Sequence, residues 1–172
     1  DPWQRVSVVA VTHHSADVIG QCLASVARAG EHIVVDNASE DATREIVART
    51  VPGARIFYNR IGLGFGNGAN IGLKAATREF VLLINPDAVM AEGAVEALLA
   101  AADRYPDAAM LTPTVVDKHG AHVTSHNVGV LDRPRFESRR SDPKPEGDLS
   151  AAYLSGAIML LKGSDTVVAA PD

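Results

Sequence analysis

Residues 6–12 read V-S-V-V-A-V-T, a β-branched run without the polar alternation of a half-solvated strand. A strand that is apolar on both faces must be covered on both, as in a parallel sheet held between helices. The chain then repeats this unit. Residues 17–29 place Val18, Ile19, Cys22, Leu23 and Val26 at helical spacing ahead of Gly30, a natural stop. A second short strand, 32–36, leads into Asn37 and Ser39, whose side chains are expected to cap a helix with Glu40 and Asp41 in its first turn. Pro52 and Gly53 separate that helix from a third strand at 55–58, a Gly-rich loop and a helix ending near Arg78. Residues 80–84 form a further apolar strand closed by Asn85-Pro86-Asp87, and Val95, Leu98, Leu99 and Ala102 mark the next helix. The alternation predicts an α/β fold with a Rossmann-like, mostly parallel sheet flanked by helices.

The pattern changes after Pro106. Val115-Val116 and Ala121-His122-Val123 flank Asp117-Lys118-His119-Gly120, a hairpin signal that predicts a C-terminal antiparallel addition to the sheet. Residues 132–148 hold three prolines and four arginines and read as a mobile loop before apolar character returns at 153–161. At 172 residues the chain suits one domain that removes roughly 70% of its unfolded surface from water. Sixteen Lys plus Arg against twenty-one Asp plus Glu leave a net charge of −5, so nucleic acid is not an expected partner. Cys22 stands alone, which rules out an intrachain disulfide and a Cys-rich zinc site and fits a cytoplasmic compartment. The sequence has no apolar run of the roughly 18 to 20 residues that span a bilayer, so no transmembrane segment is expected.

Ligands of open α/β sheets bind beyond the carboxyl ends of the strands. The strand ends here carry Thr12-His13-His14, Asp36-Asn37, Asn59-Arg60 and Asn85-Pro86-Asp87. Any one of these Asp or Asn residues has an equally good reading as a helix cap. Asn85-Pro86-Asp87 supports a sharper one. A carboxylate fixed by a rigid proline can hold Mg²⁺ or Mn²⁺, ions that take oxygen ligands and keep phosphates or waters in their shell. Placed on a diphosphate leaving group, such an ion stabilises charge that develops in the transition state. The glycines of 61–68 raise a rival reading, the dinucleotide fingerprint of a nicotinamide-dependent oxidoreductase. They follow the third strand instead of the first, and Ala69 stands where the third glycine belongs. His119 and His122 flank a polar turn and read as a solvated hairpin, not a metal site.

The motifs V-S-V-V-A-V-T-H-H-S-A-D, I-V-V-D-N-A-S-E-D-A-T, L-G-F-G-N-G-A-N-I-G, V-L-L-I-N-P-D and L-S-G-A-I-M-L-L follow one another in this order. From Val6 to Leu161 the chain thereby resembles the family 2 glycosyltransferases, and among them most the branch with bacterial rhamnosyltransferases. The resemblance implies the GT-A fold, a nucleotide-diphospho-sugar donor (dTDP- or UDP-linked), inversion at the anomeric carbon and a glycan or lipid-linked acceptor. It makes Asp36 the partner of the nucleobase, with Thr12 and His13 beside it, His13 standing where many relatives have tyrosine. It makes Asp87 the metal ligand of a D-x-D-type element containing Asn85. Asn59 falls at the third strand end, Gly64, Phe65 and Asn70 flank the nucleotide, and Gly156 with Ala157 lie on the acceptor side. Phe65 as a core residue, Asn70 as a helix-packing residue and Gly156-Ala157 as close strand packing are the structural alternatives. Residues 1–105 would form the nucleotide-binding half and 106–172 the start of the acceptor-binding half.

Inverting transfer needs a general base to take the acceptor proton. The acidic segment that follows G-A-x-M-L in the family has no counterpart after Leu161, where Lys162-Gly163-Ser164-Asp165 is found instead. The chain is thus expected either to stop short of the segment with the base or to be a non-catalytic nucleotide-sugar-binding module. No residue is assigned as the base. The expected setting is the cytoplasm, including the inner face of the membrane.

Overall fold

A computed structural model describes residues 1–123, 126–127, 153–154 and 157–163. A 3-10 turn, Pro2–Arg5, leads into β1 (Val6–Thr12), α1 (Ile19–Ser25), β2 (Glu31–Asn37), α2 (Thr43–Thr50), β3 (Arg55–Asn59), α3 (Gly64–Ala75), β4 (Phe80–Ile84) and α4 (Ala94–Arg104). Short strands β5 (Met110–Leu111), β6 (Val115–Val116), β7 (His122–Val123), β8 (His126–Asn127) and β9 (Tyr153–Leu154) precede β10 (Ile158–Lys162). Six strands form the main sheet in the order β3-β2-β1-β4-β10-β5. The first four in that order run parallel, and β10 is antiparallel to both β4 and β5. This is the α/β fold that the strand–helix alternation predicts.

All seven residues of β1 and all five of β4 are buried, as two covered faces require. Alternate strand residues feed two cores. Val6, Val8, Ala10, Val34, Leu82 and Ile84 pack with Ile19 and Leu23 of α1, Val47 of α2, and Val95, Leu98 and Leu99 of α4. Val9, Val11, Ile33, Val35, Val81 and Leu83 meet Ala69 and Leu73 of α3 on the opposite face. Helix α3 lies close to the sheet. A Cβ at Gly72 would come within 2.3 Å of Val9 Cγ1, and one at Gly68 within 2.7 Å of Val11 Cγ1. These two glycines therefore serve helix-to-sheet packing, which accounts for part of the Gly-rich stretch without a dinucleotide.

Several local expectations are corrected. Helix α1 is shorter than 17–29, although Val26 beyond its end still belongs to the core. Helix α2 starts at Thr43, and its first turn is tied by Asp41, whose Oδ1 accepts from Thr43 N at 3.1 Å and Thr43 Oγ1 at 2.5 Å. Asn37 and Ser39 do not cap it because both bind across neighbouring loops. Helix α3 ends at Ala75, and the following chain is drawn to β2 by a hydrogen bond from Thr77 N to Glu31 Oε2, 2.9 Å. The hairpin β6–β7 forms, but as its own two-stranded sheet with Val116 and Val123 exposed. The antiparallel addition is β10, whose Ile158, Met159, Leu160 and Leu161 are buried where the hairpin offers no comparable apolar row. The loop expected at 132–148 lies outside the described residues.

Glu31 clamps the amino ends of the strands. Its Oε2 accepts from Ser7 Oγ at 2.5 Å and from Thr77 N and Oγ1, while Oε1 accepts from Arg55 at 3.0 Å. Partial burial works to raise its pKa, yet the hydrogen bonds of Ser7, Thr77 and Arg55 prevail and hold it below the usual glutamate value. A carboxylate with a lowered folded pKa stabilises the fold above its unfolded pKa, about 4.3, and loses that contribution as pH falls through the folded value. Glu31→Gln is therefore expected to lower Tm most at neutral pH, with the difference from wild type shrinking below about pH 4. A Tm difference that stays constant across that range would contradict this assignment.

Candidate active site

Parallel β1, β2, β3 and β4 deliver their carboxyl ends to one edge of the sheet, so the loops carrying Thr12, Asp36, Asn59 and Asp87 share that edge. Thr12, Asp36 and Tyr58 are register neighbours across β1, β2 and β3. Asp36 is fully buried. Its Oδ1 accepts from Thr12 Oγ1 at 3.0 Å and from the Ser39 hydroxyl. Its Oδ2 is shielded from solvent and has no hydrogen-bond partner. Among the described residues the cation beside it is Arg44, whose Nε lies 3.6 Å from Oδ2 and whose guanidinium sits 4.4 Å from the centre of the Tyr58 ring. A buried carboxylate oxygen without a donor is costly, and such groups concentrate where a ligand supplies the missing partner.

The loops around Asp36 are braced by one another. Ser39 Oγ accepts from His14 N (2.9 Å), Thr43 Oγ1 from Ser15 N (2.8 Å), and Asp41 Oδ2 from Ala16 N (3.2 Å), so three successive amides after β1 are held by the loop and helix start after β2. His14 and Ala38 both adopt left-handed backbone, with φ of 47° and 58°. Strained conformations of this kind cost about 1 to 3 kcal/mol each and persist where the surroundings enforce them. The Ala38 turn brings Ser39 back onto Asp36.

Asn37 links the other face. Its carbonyl meets His13 Nδ1 at 2.6 Å, its Oδ1 accepts from Asn59 Nδ2 at 2.8 Å, and its Nδ2 donates to Gly64 O at 3.1 Å. The His13 and His14 rings, both exposed, stand 4.2 Å apart. Gly64 opens α3 at φ 75°, a left-handed conformation that glycine adopts freely. Phe65 is 39% exposed and so is not a core residue, while Asn70 is half-buried on the same helix.

At the end of β4, Asn85 N donates to Ala157 O (2.8 Å), which places Ala157 beside the Asn85-Pro86-Asp87 turn. Gly156 lies outside the described residues. Asp87 is exposed. Beneath this turn the Cys22 thiol donates to Asn85 O at 3.4 Å, and burial followed by the negative charge of Asp87 pushes its pKa up to about 12. Cys22 is accordingly expected to resist Ellman's reagent at pH 8 in the folded protein and to react fully in denaturant; rapid labelling of the native chain would contradict its placement. Among the described residues no group of three or more His, Cys, Asp or Glu gathers to hold a metal, and no helix is long and apolar enough to cross a membrane. His119 is exposed in the β6–β7 turn, where Asp117 Oδ1 accepts from the amides of His119 and Ala121.

Ser39, Arg44 and Tyr58 complete the surroundings of Asp36, and none was singled out from the sequence as a site residue. Ser39 could have been found from its position three residues after Asp36 in a turn of small residues. Arg44 and Tyr58 carry no local signal, because only the tertiary fold brings the start of α2 beside the end of β3.

A mostly parallel sheet with polar strand ends and an antiparallel strand inserted beside β4 defines a GT-A-type α/β domain. Residues 7–161 match Glycosyl transferase family 2, and the chain belongs to that family. It is 31% identical over 129 residues to N-acetylglucosaminyl-diphospho-decaprenol L-rhamnosyltransferase of Mycobacterium tuberculosis, an alignment covering 66% of this chain and 42% of the relative. Among solved structures, S. aureus TarS 1-349 superposes with a TM-score of 0.60 at 24% identity, covering 91% of this chain and 47% of that one. TarS 1-349 in complex with UDP-GlcNAc gives the same TM-score over 90% of this chain and 44% of that one. The chain thus spans less than half the length of these relatives. Family membership displaces the nicotinamide-dependent reading of the glycine-rich stretch.

Proposed function

We propose that this chain binds a dTDP- or UDP-linked sugar and serves its transfer, with inversion, to a glycan or lipid-linked acceptor, in the cytoplasm or at the inner face of the membrane. The observation that carries the reading is the Asp36 carboxylate: one oxygen is saturated, the other lacks a donor, and both are buried at the carboxyl edge of a parallel sheet. A pyrimidine N–H is the kind of donor that such an oxygen requires. Thr12 and Ser39 orient the carboxylate, His13 offers a ring for the base, and Asn37 holds Asn59, His13 and the start of α3 in one arrangement around it. Residues 1–105 form the nucleotide-binding half in this reading, with Gly64, Phe65 and Asn70 flanking the nucleotide. Gly156 and Ala157 begin the acceptor side.

Asp87 fits a divalent ion, Mg²⁺ or Mn²⁺, that takes most of its ligands from the diphosphate and water. An exposed carboxylate on a proline-fixed turn suits that role, and Asn85, anchored to Ala157, holds the turn in place. When bound, the ion would neutralise charge on the departing diphosphate. Asp87→Ala is expected to abolish the enhancement of UDP or dTDP binding by Mn²⁺ with little change in Tm. Calorimetric titration with and without Mn²⁺ tests this, and unchanged metal dependence would remove Asp87 from the account. A non-catalytic nucleotide-sugar-binding module is the second reading, favoured by the lack of an acidic segment directly after Leu161. Transfer assays on the protein at its natural length separate the two, because a missing general base costs about 10² to 10⁴ in rate without weakening donor binding.

A further inference from the structure

We propose that Arg44 reads the nucleobase together with Asp36, and that the pair selects the imide edge of uracil or thymine against cytosine. The inference rests on the donor-binding reading above and adds to it a residue and a base specificity. Asp36 Oδ2 is shielded from water and accepts no hydrogen bond. Arg44 Nε, at 3.6 Å, is near enough to offset its charge and too far to hydrogen bond to it. Among the described residues no second carboxylate holds the guanidinium. It lies over Tyr58, the register neighbour of Asp36, and both side chains are open to solvent, Arg44 with 46% of its surface and Tyr58 with 47%. A partly exposed cation on an aromatic platform therefore stands beside a buried acceptor that needs a donor.

Uracil and thymine present a ring N–H flanked by two carbonyls. Oδ2 accepts from that N–H, and the guanidinium fork, which carries donors only, serves the C4 carbonyl, the position where cytosine carries its amino group. Cytosine presents a ring nitrogen lone pair in the same position with an amino group on one side. It would set that lone pair against the carboxylate and its amino hydrogens against the guanidinium, so the two side chains attract one pyrimidine edge and repel the other. Entry of the base requires Arg44 to slide along the Tyr58 face and uncover Oδ2. A cation–π contact tolerates such a slide because it does not depend on one fixed donor–acceptor line.

The test is calorimetric titration of UDP and CDP, both in Mn²⁺, into the wild-type chain, Arg44→Ala, Arg44→Lys and Asp36→Asn. Wild type is expected to prefer UDP. Arg44→Ala should weaken UDP by about tenfold and CDP hardly at all, and Arg44→Lys should behave like Ala in the UDP-to-CDP ratio, since it keeps the charge and loses the fork. Equal weakening of UDP and CDP in Arg44→Ala would show that Arg44 supplies only charge to the diphosphate and would overturn the proposal. So would an unchanged UDP affinity. If Asp36→Asn loses UDP while the Arg44 variants keep the wild-type ratio, this inference alone fails. If wild type binds neither nucleotide, or Asp36→Asn retains full UDP affinity, the donor-binding reading fails with it.

Discussion

Asp36→Asn is expected to lower the affinity for UDP or dTDP by about 100-fold while leaving the fold intact. The amide oxygen can take the place of Oδ1 and still accept from Thr12 and Ser39, so the internal hydrogen bonds survive. What changes is the second position, where an amide nitrogen replaces the charged acceptor and meets the base N–H donor to donor. Hydrogen bonds to charged groups are worth about 1.5 to 3 kcal/mol, and a mismatched donor adds to the loss. Asp36→Ala should behave differently. It strips two hydroxyls of their buried acceptor, at a cost of about 1 to 3 kcal/mol each, so lost binding would be mixed with lost stability. Thermal melts beside the titrations separate the effects: Asn should lose binding with Tm nearly unchanged, and a large Tm drop for Asn would mean that Asp36 is chiefly structural.

The second large effect is expected at Gly72. Alanine there places a Cβ 2.3 Å from Val9 Cγ1 in the centre of β1, a contact that the flat face of a packed sheet cannot absorb without displacing α3. Overpacking of this kind costs about 1 to 3 kcal/mol, against a gain of about 1 kcal/mol in helix propensity for replacing glycine. Stability should therefore fall by about 2 kcal/mol at the upper end of that range. Val9→Ala removes the offending methyls and on its own opens a cavity. Combined with Gly72→Ala, the two losses should partly cancel, giving a coupling of about 1 to 3 kcal/mol in urea denaturation. Simple additivity would mean that α3 does not sit against Val9 as described.

How far the sequence shows this arrangement depends on how local each cause is. The strands are legible because V-S-V-V-A-V-T and F-V-L-L-I are apolar on both faces, a pattern that few structures other than a covered parallel sheet accommodate. Asp36 and Asp87 are legible as strand-end acids for the same reason. The start of α2 is not, because Asn37 and Ser39 have the side chains of helix caps and spend them instead on Gly64, Asn59, His14 and Asp36. The tightness of α3 is half legible: glycines at 62, 64, 66 and 68 invite a ligand reading, and only the packing against Val11 and Val9 shows that Gly68, with Gly72 one turn on, serves helix-to-sheet contact. Arg44 is the clearest omission. Its placement over Tyr58 and beside Asp36 joins residues of α2, β3 and β2 that only the tertiary fold brings together, which no spacing within the sequence encodes.

Whether the carboxyl edge of this sheet is a pyrimidine nucleotide site is tested most directly by titration of the wild-type chain with UDP, dTDP and NADH, each with and without Mn²⁺. Saturable binding of UDP or dTDP, strengthened by Mn²⁺ and accompanied by no heat from NADH, is the predicted result. Binding of NADH, or the absence of binding by either pyrimidine nucleotide in the presence of Mn²⁺, would contradict it.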